Sequence, residues 1–176
     1  MTDQNSPLVG IVMGSDSDWP HVRAAATALE EFGVAYEARV MSAHRTPDLV
    51  HQYASTASGR GIKILLAAAG GAAHLAGTVA AHTILPVIGI PVPTDLAGGL
   101  DSLLSTVQMP GDVPVATVGA NSGGPRNAGI LAVEILALAD ERLHAKLAEF
   151  KQRLRDKIAA RDAAFQDTLR GERQRT

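Results

Sequence analysis

The chain has 176 residues, enough for one domain with a sizeable core, and 46% of them are apolar, which excludes a disordered chain. Lys and Arg number 16 against 18 Asp and Glu, a formal charge of -2, so there is no electrostatic case for nucleic acid or a membrane surface. Cysteine is absent, which removes disulfides, thiolate catalysis and most zinc sites and fits a reducing, cytoplasmic setting.

Aromatic residues make up only 3%, so the interior must be built from Ala, Val, Leu and Ile. Met1–Pro7 is polar without lysine or arginine and does not read as a signal peptide. Leu8–Met13 is an apolar run ended by Gly14, the pattern of a buried parallel strand. After the polar loop Gly14–Asp18, Pro20 opens a helix that Gly33 stops. Tyr36–Met41 reads as a second strand. Thr46-Pro47-Asp48 then reads as a helix start, with a cap hydroxyl, a proline at the first position and an acid in the first turn; this helix runs to about Ser58. Ile62–Ala68 is a third strand, broken by Gly70-Gly71, and Ala72–Thr83 is a helix of small residues; the weakly apolar run Ile64–Ala81 is mostly Ala and Gly and includes His74, so it does not read as a membrane span. Val87–Ile90 is a fourth strand closed by Pro91 and Pro93. Asp101–Val107 is a short helix, Val113–Val118 a fifth strand, and Asn127–Ala139 an apolar helix. Leu143, Leu147, Phe150, Leu154 and Ile158 recur at helical spacing in a charged helix, Glu141–Gln166, suited to packing on a neighbouring surface; Thr168–Thr176 reads as frayed.

Strands alternating with helices predict an α/β fold: a three-layer, flavodoxin-like parallel sheet of order 2-1-3-4-5. No linker or repeat divides it, so residues 1–176 read as one domain, with a core over 8–140 and a helical extension over 141–168. Such a sheet brings the loops after its first three strands to one edge, where ligands bind. The second of these loops carries Ser42, His44 and Arg45: a hydroxyl, a side chain that titrates near neutrality and a planar cation that orients anions. A polar turn with a capping threonine is the plain alternative. The first loop adds Ser15, Asp16 and Asp18 before a helix N-terminus, which favours anions; a carboxylate there can also hold sugar hydroxyls. The third adds Gly70 and Gly71, whose backbone can lie close to a flat ligand. The three together suit a phosphorylated, hydroxylated small molecule.

The glycine-rich motifs of ATP and NAD sites are missing, as are paired metal-ligand spacings, so neither cofactor nor metal is expected. His74 and His82 share a helix face but stand eight positions apart, too far to share a metal directly. His21, His51 and His144 read as solvated. His74 stands equally for ligand contact and for subunit contact.

Gly10–Trp19, Ser42–Asp48, Ala69–Leu75, Asp101–Ser105 and Val107–Pro110 resemble the bacterial class I N5-carboxyaminoimidazole ribonucleotide mutases, over about Leu8 to Asp140. The resemblance implies a homo-octamer that needs no metal, ATP or biotin. It implies a step of purine biosynthesis, in which a carboxylate moves from the exocyclic nitrogen of an aminoimidazole ribonucleotide to ring carbon C4. It assigns Ser15 and Arg45 to the phosphate, Asp18 to the ribose hydroxyls and Ser42 to a place beside the phosphate. His44 matches the catalytic histidine, and Gly70, Gly71, Ala72, His74 and Leu75 match the loop around the imidazole and carboxylate. Ala76 stands where the family has proline, Thr78 where methionine is usual, and Asn121–Arg126 lacks an expected lysine. Two other readings stay open: a carboxylase that uses free CO2, and a non-catalytic nucleotide- or flavin-binding module. The scarcity of aromatics, with only Trp19 near a loop, disfavours the flavin version.

Overall fold

Three apolar runs become strands buried along most of their length: β1 (Val9–Met13), β3 (Ile64–Gly70) and β4 (Val87–Val92). Burial without alternation means that both faces are covered, as in a parallel sheet flanked by helices. β2 (Tyr36–Val40) and β5 (Ala116–Thr117) form the more exposed edges. The structure is a computed structural model that describes residues 6–173. All strand pairs are parallel and the order is β2-β1-β3-β4-β5, as expected, so the chain reverses its direction of winding between β1 and β3.

The helices are α1 (Trp19–Phe32), α2 (Pro47–Ala57), α3 (Leu75–Ala81), α4 (Leu100–Val107), α5 (Gly124–Ala137) and α6 (Glu141–Arg173). On one face of the sheet, α2 and α3 bury Val50, Ala54, Leu75, Ala76 and Val79 against Val12, Leu65 and Ala67. α4 shares that face, because Thr106 and Ala76 both close on Gly89. On the other face α1 buries Val22, Ala25, Ala26, Ala28, Leu29 and Phe32. A core of so many alanines holds together by close backbone approach. At Gly129 of α5 an added Cβ would lie 2.5 Å from the Ala25 carbonyl oxygen and 2.9 Å from Ala28 Cβ, so α5 rests directly on α1. A bidentate pair from Arg126 to Glu31, at 2.9 and 2.8 Å, ties the same two helices. Gly33, at φ 72°, ends α1 in the left-handed conformation.

Several boundaries differ from those expected. β3 runs through Gly70 where a break after Ala68 was expected, and Pro91, expected to close β4, lies inside it opposite Ala69. α3 begins at Leu75, not Ala72, because Gly71 is left-handed and the next two amides bond only two residues back, Ala73 N–H to Gly71 and His74 N–H to Ala72. β5 holds two residues instead of six; Pro114 lacks an N–H, and pairing with β4 starts only at Ala116. α5 starts at Gly124, three residues before the expected Asn127. Thr46 is the N-cap of α2, but its hydroxyl makes no capping bond: it accepts from Ser42 N–H at 3.0 Å and faces the Ser42 carbonyl at 3.2 Å.

The described residues fall into two compact units, one ending at Leu136 and one starting at Ala137. In the second, Leu143, Leu147 and Phe150 are buried, whereas Leu154, Ile158 and Phe165 are exposed. α6 continues helical through the expected fray to Arg173. The rest of that stretch, and most of Met1–Pro7, lies outside the described residues.

Candidate active site

Three β-to-α loops meet at the carboxyl ends of β1, β2 and β3, where the winding reverses, and enclose a cleft of about 450 Å³. Its wall carries Ser15, Asp18, Ser42, His44, Arg45, Gly70, Ala72, His74 and Leu75, together with Gly14, Ala43 and Ala69. Of the expected site residues only Gly71 is off the wall; its amide turns to α4 and donates to Ser102 Oγ at 2.9 Å. A groove of about 500 Å³ between β2 and α2, lined by Glu37, Val40, Leu49, Tyr53 and Arg60 among others, is slightly larger. Of the two, the cleft is the better candidate site, because it joins loops from three strands at the switch point.

In the first loop, Ser15 and Asp18 brace each other's turn. Ser15 N–H donates to Asp18 Oδ2 at 3.2 Å, and Ser15 Oγ accepts from the Ser17 hydroxyl at 2.7 Å. In the second, Ser42 Oγ accepts from the His44 and Arg45 amides at 3.3 and 3.2 Å, which folds the turn that presents both side chains. Arg45 Nη2 donates to the Gly14 carbonyl at 2.8 Å. One arm of the guanidinium thus ties the second loop to the first and leaves its other donors for a ligand.

Across the cleft, His44 Nε2 lies 2.8 Å from His74 Nδ1, with the rings edge to face and their centres 4.9 Å apart. In such a contact one nitrogen donates and the other accepts, so a proton can pass between the two rings. His74 is the N-cap of α3, and its place is set by the tight Gly71–His74 turn. No Phe, Tyr or Trp lies on the cleft wall, and a flat ring there would meet alanine, glycine and imidazole. Among the described residues no group of three or more His, Cys, Asp or Glu could hold a metal ion.

His21 departs from the solvated state expected of it. It is half-buried, and its Nε2 is shielded from water without a hydrogen-bond partner. Burial lowers its pKa, against the Pro91 carbonyl and the charge of Asp18, which raise it. His51 and His144 are exposed as expected.

Burial also raises the Asp18 carboxyl above its ordinary value, opposed by the Ser15 N–H and by His21. A raised native pKa means that the contribution to stability is present at low pH and is lost as pH rises through the native value. Asp18→Asn keeps an acceptor for the Ser15 amide and removes the charge. It is expected to raise the thermal midpoint of the unliganded protein at about pH 7 and to change it little at about pH 3, where the wild-type carboxyl is protonated in both states. A lowered midpoint at neutral pH in a thermal melt would refute this.

The sequence model of the AIR carboxylase family matches residues 8–157. The chain belongs to that family. It is 56% identical over 160 residues to the N5-carboxyaminoimidazole ribonucleotide mutase of Mycobacterium tuberculosis (strain CDC 1551 / Oshkosh), with 91% of each chain covered. It is 54% identical over 152 residues to that of Bacillus subtilis (strain 168), covering 86% of this chain and 94% of the relative. Among solved structures, Treponema denticola PurE superposes with a TM-score of 0.82 at 31% identity, covering 89% of this chain and 97% of that one.

The three departures from the family pattern fall into place in the fold. Ala76 is buried in the first turn of α3 against Gly89. The Thr78 hydroxyl donates to the His74 carbonyl at 3.0 Å, a bond methionine cannot make. In the Asn121–Arg126 stretch the one cation is spent on Glu31. Gly14, Ala43 and Ala69 were not singled out as wall residues, although each adjoins one that was. Ser102 lies in a recognised motif, but nothing in the sequence signals its bond to Gly71.

Proposed function

We propose that this chain is an N5-carboxyaminoimidazole ribonucleotide mutase of purine biosynthesis: an isomerase that moves the carboxylate from the exocyclic nitrogen of the aminoimidazole to ring carbon C4. The observation that carries the reading is the His44–His74 pair, set at 2.8 Å in a cleft that also holds Asp18 and Arg45. In this reading Ser15, Ser42 and Arg45 hold the phosphate and Asp18 accepts from the ribose hydroxyls. Gly70, Ala72 and Leu75 wall the ring, and Gly71 shapes that wall from behind. The N–C bond of the carbamate breaks and CO2 is released in place while the nitrogen gains a proton. The electron-rich C4 then bonds to the CO2 and loses its own proton. One proton is given and one taken back, and no electrons are exchanged with a cofactor. His44 is the shuttle, and His74 is the partner that shares its proton.

Incubation with the N5-carboxylated ribonucleotide should yield the C4 isomer without ATP and after exhaustive chelation. Turnover only from the aminoimidazole ribonucleotide with CO2 would make the chain a carboxylase, the reaction that the family's description names. No turnover of either would leave a binding module.

The chain acts as a homo-octamer in the cytoplasm in this reading. Ile84, Leu96, Val40, Val107, Leu104 and Leu49 are large apolar side chains exposed on the first unit, which supports association. Among the described residues no helix is long and apolar enough to cross a membrane. Sedimentation at working concentration should show a particle of about eight chains; a monomer would refute the assembly and leave the reaction standing.

A further inference from the structure

The loop that carries His74 is tied to α4 by a short hydrogen-bonded chain that the reaction as described does not use. Ser102 Oγ, fully buried in the first turn of α4, accepts from the Gly71 amide at 2.9 Å. Asp101 Oδ1 takes the Thr94 hydroxyl at 2.7 Å, the Ser102 amide at 2.8 Å and faces the Ser102 hydroxyl at 3.5 Å. An ionised carboxylate can only accept. It therefore takes the Thr94 hydroxyl and the Ser102 amide as donors, while the Gly71 amide, which can only donate, meets a lone pair of Ser102 Oγ. The Thr94 hydroxyl, with the amide and hydroxyl of Ser102, holds the Asp101 carboxyl below its ordinary value, in keeping with a permanent anion.

The far end of the chain is mechanically stiff. From Gly71, whose φ of 65° turns the strand out of the sheet, two successive bonds each span only two residues and lead to His74. Moving Gly71 thus moves His74. Thr94 Cγ2 lies 3.4 Å from where a Cβ on Gly70 would stand. Thr94 thus stands beside the loop and enters the clamp through its hydroxyl.

We propose that Ser102, oriented by Asp101 and Thr94, is a positioning residue that sets the distance between His74 and His44. This rests on the reading of the histidine pair as the proton shuttle. Ser102 lies behind the cleft wall and touches no substrate, so its loss should spare binding and reduce the chemical step.

The test is steady-state kinetics of full-length S102A, D101A and D101N on the N5-carboxylated ribonucleotide, together with a crystal structure of S102A. S102A and D101A should lose roughly 10- to 100-fold in kcat with KM within about twofold, the size expected when a catalytic group is displaced by about an ångström. D101N keeps an acceptor oxygen for Thr94 and Ser102 and should recover most of that loss. In the S102A crystal the His44–His74 separation should exceed the hydrogen-bonding range. Wild-type kcat in S102A, or a raised KM with unchanged kcat, would overturn the proposal, as would D101N as impaired as D101A. Should His44→Asn turn over normally, the shuttle reading fails by itself. The clamp is then judged by the S102A crystal, where an unmoved His74 would overturn it.

Discussion

His44→Asn is expected to bind the ribonucleotide as the wild type does and to turn it over at least ~10²–10⁴-fold more slowly, the usual contribution of general acid–base catalysis. Binding survives because the groups proposed to anchor the substrate are held independently of this ring. Ser15 and Asp18 brace one another, Ser42 Oγ is held by two backbone amides, and Arg45 is tied to Gly14. Turnover falls because the asparagine amide cannot give and take a proton as an imidazole can. His74, now without its 2.8 Å partner, is left on the α3 side of the cleft. Calorimetry and turnover on the same preparation decide the matter. A mutant that turns over normally makes His44 structural and refutes the proposed mechanism.

Arg45→Lys is expected to weaken binding of the ribonucleotide by roughly 1.5–3 kcal/mol, the range for hydrogen bonds to charged groups, or about ten- to a hundredfold in Kd. The charge is unchanged, so a loss of this size reports geometry. Arginine reaches the Gly14 carbonyl with one arm of its fork and can still offer planar donors to a phosphate. The lysine ammonium is a compact point charge that can bond Gly14 or a phosphate oxygen but cannot present two parallel donors while holding the loop. A phosphate-free nucleoside analogue should bind both forms equally. Unchanged binding of the ribonucleotide by calorimetry would mean that Arg45 serves only as the tie between loops.

Element type and order were legible in the sequence because they depend on local pattern. Apolar runs in β1 and β3, glycine stops such as Gly33 and proline starts such as Pro47 act on their own neighbourhoods. With the rule that ligands bind where the winding reverses, that pattern also foretold which three loops would meet. The least legible boundaries lay where tertiary hydrogen bonding overrides local preference. The Gly70-Gly71 pair looked like a strand break, yet Gly70 keeps its place opposite Val92 and the turn falls one residue later. β5 looked six residues long, but strand length is decided by what the neighbour can pair with.

The site divides in the same way. Sequence alone determined which chemical groups reach the cleft, since a residue in the loop that directly follows a parallel strand is delivered to that edge wherever the rest of the chain goes. It determined the fold class and, through long motifs spread over 8–140, the family. Tertiary structure alone decided which of those groups touch. His44 and His74 are 30 residues apart, and Gly71 and Ser102 are 31 apart. Hydrogen bonding acts only over about 3 Å, so no local pattern encodes these pairs. They arise because β2 and β3 flank β1 with their loops on one edge, and because α4 packs on the same face as α3. The same holds for His21, which local pattern puts on a helix surface and packing beside Asp18 and Pro91 half-buries with an unpartnered nitrogen. Side-chain chemistry is written residue by residue, whereas burial and contact are properties of the packed whole.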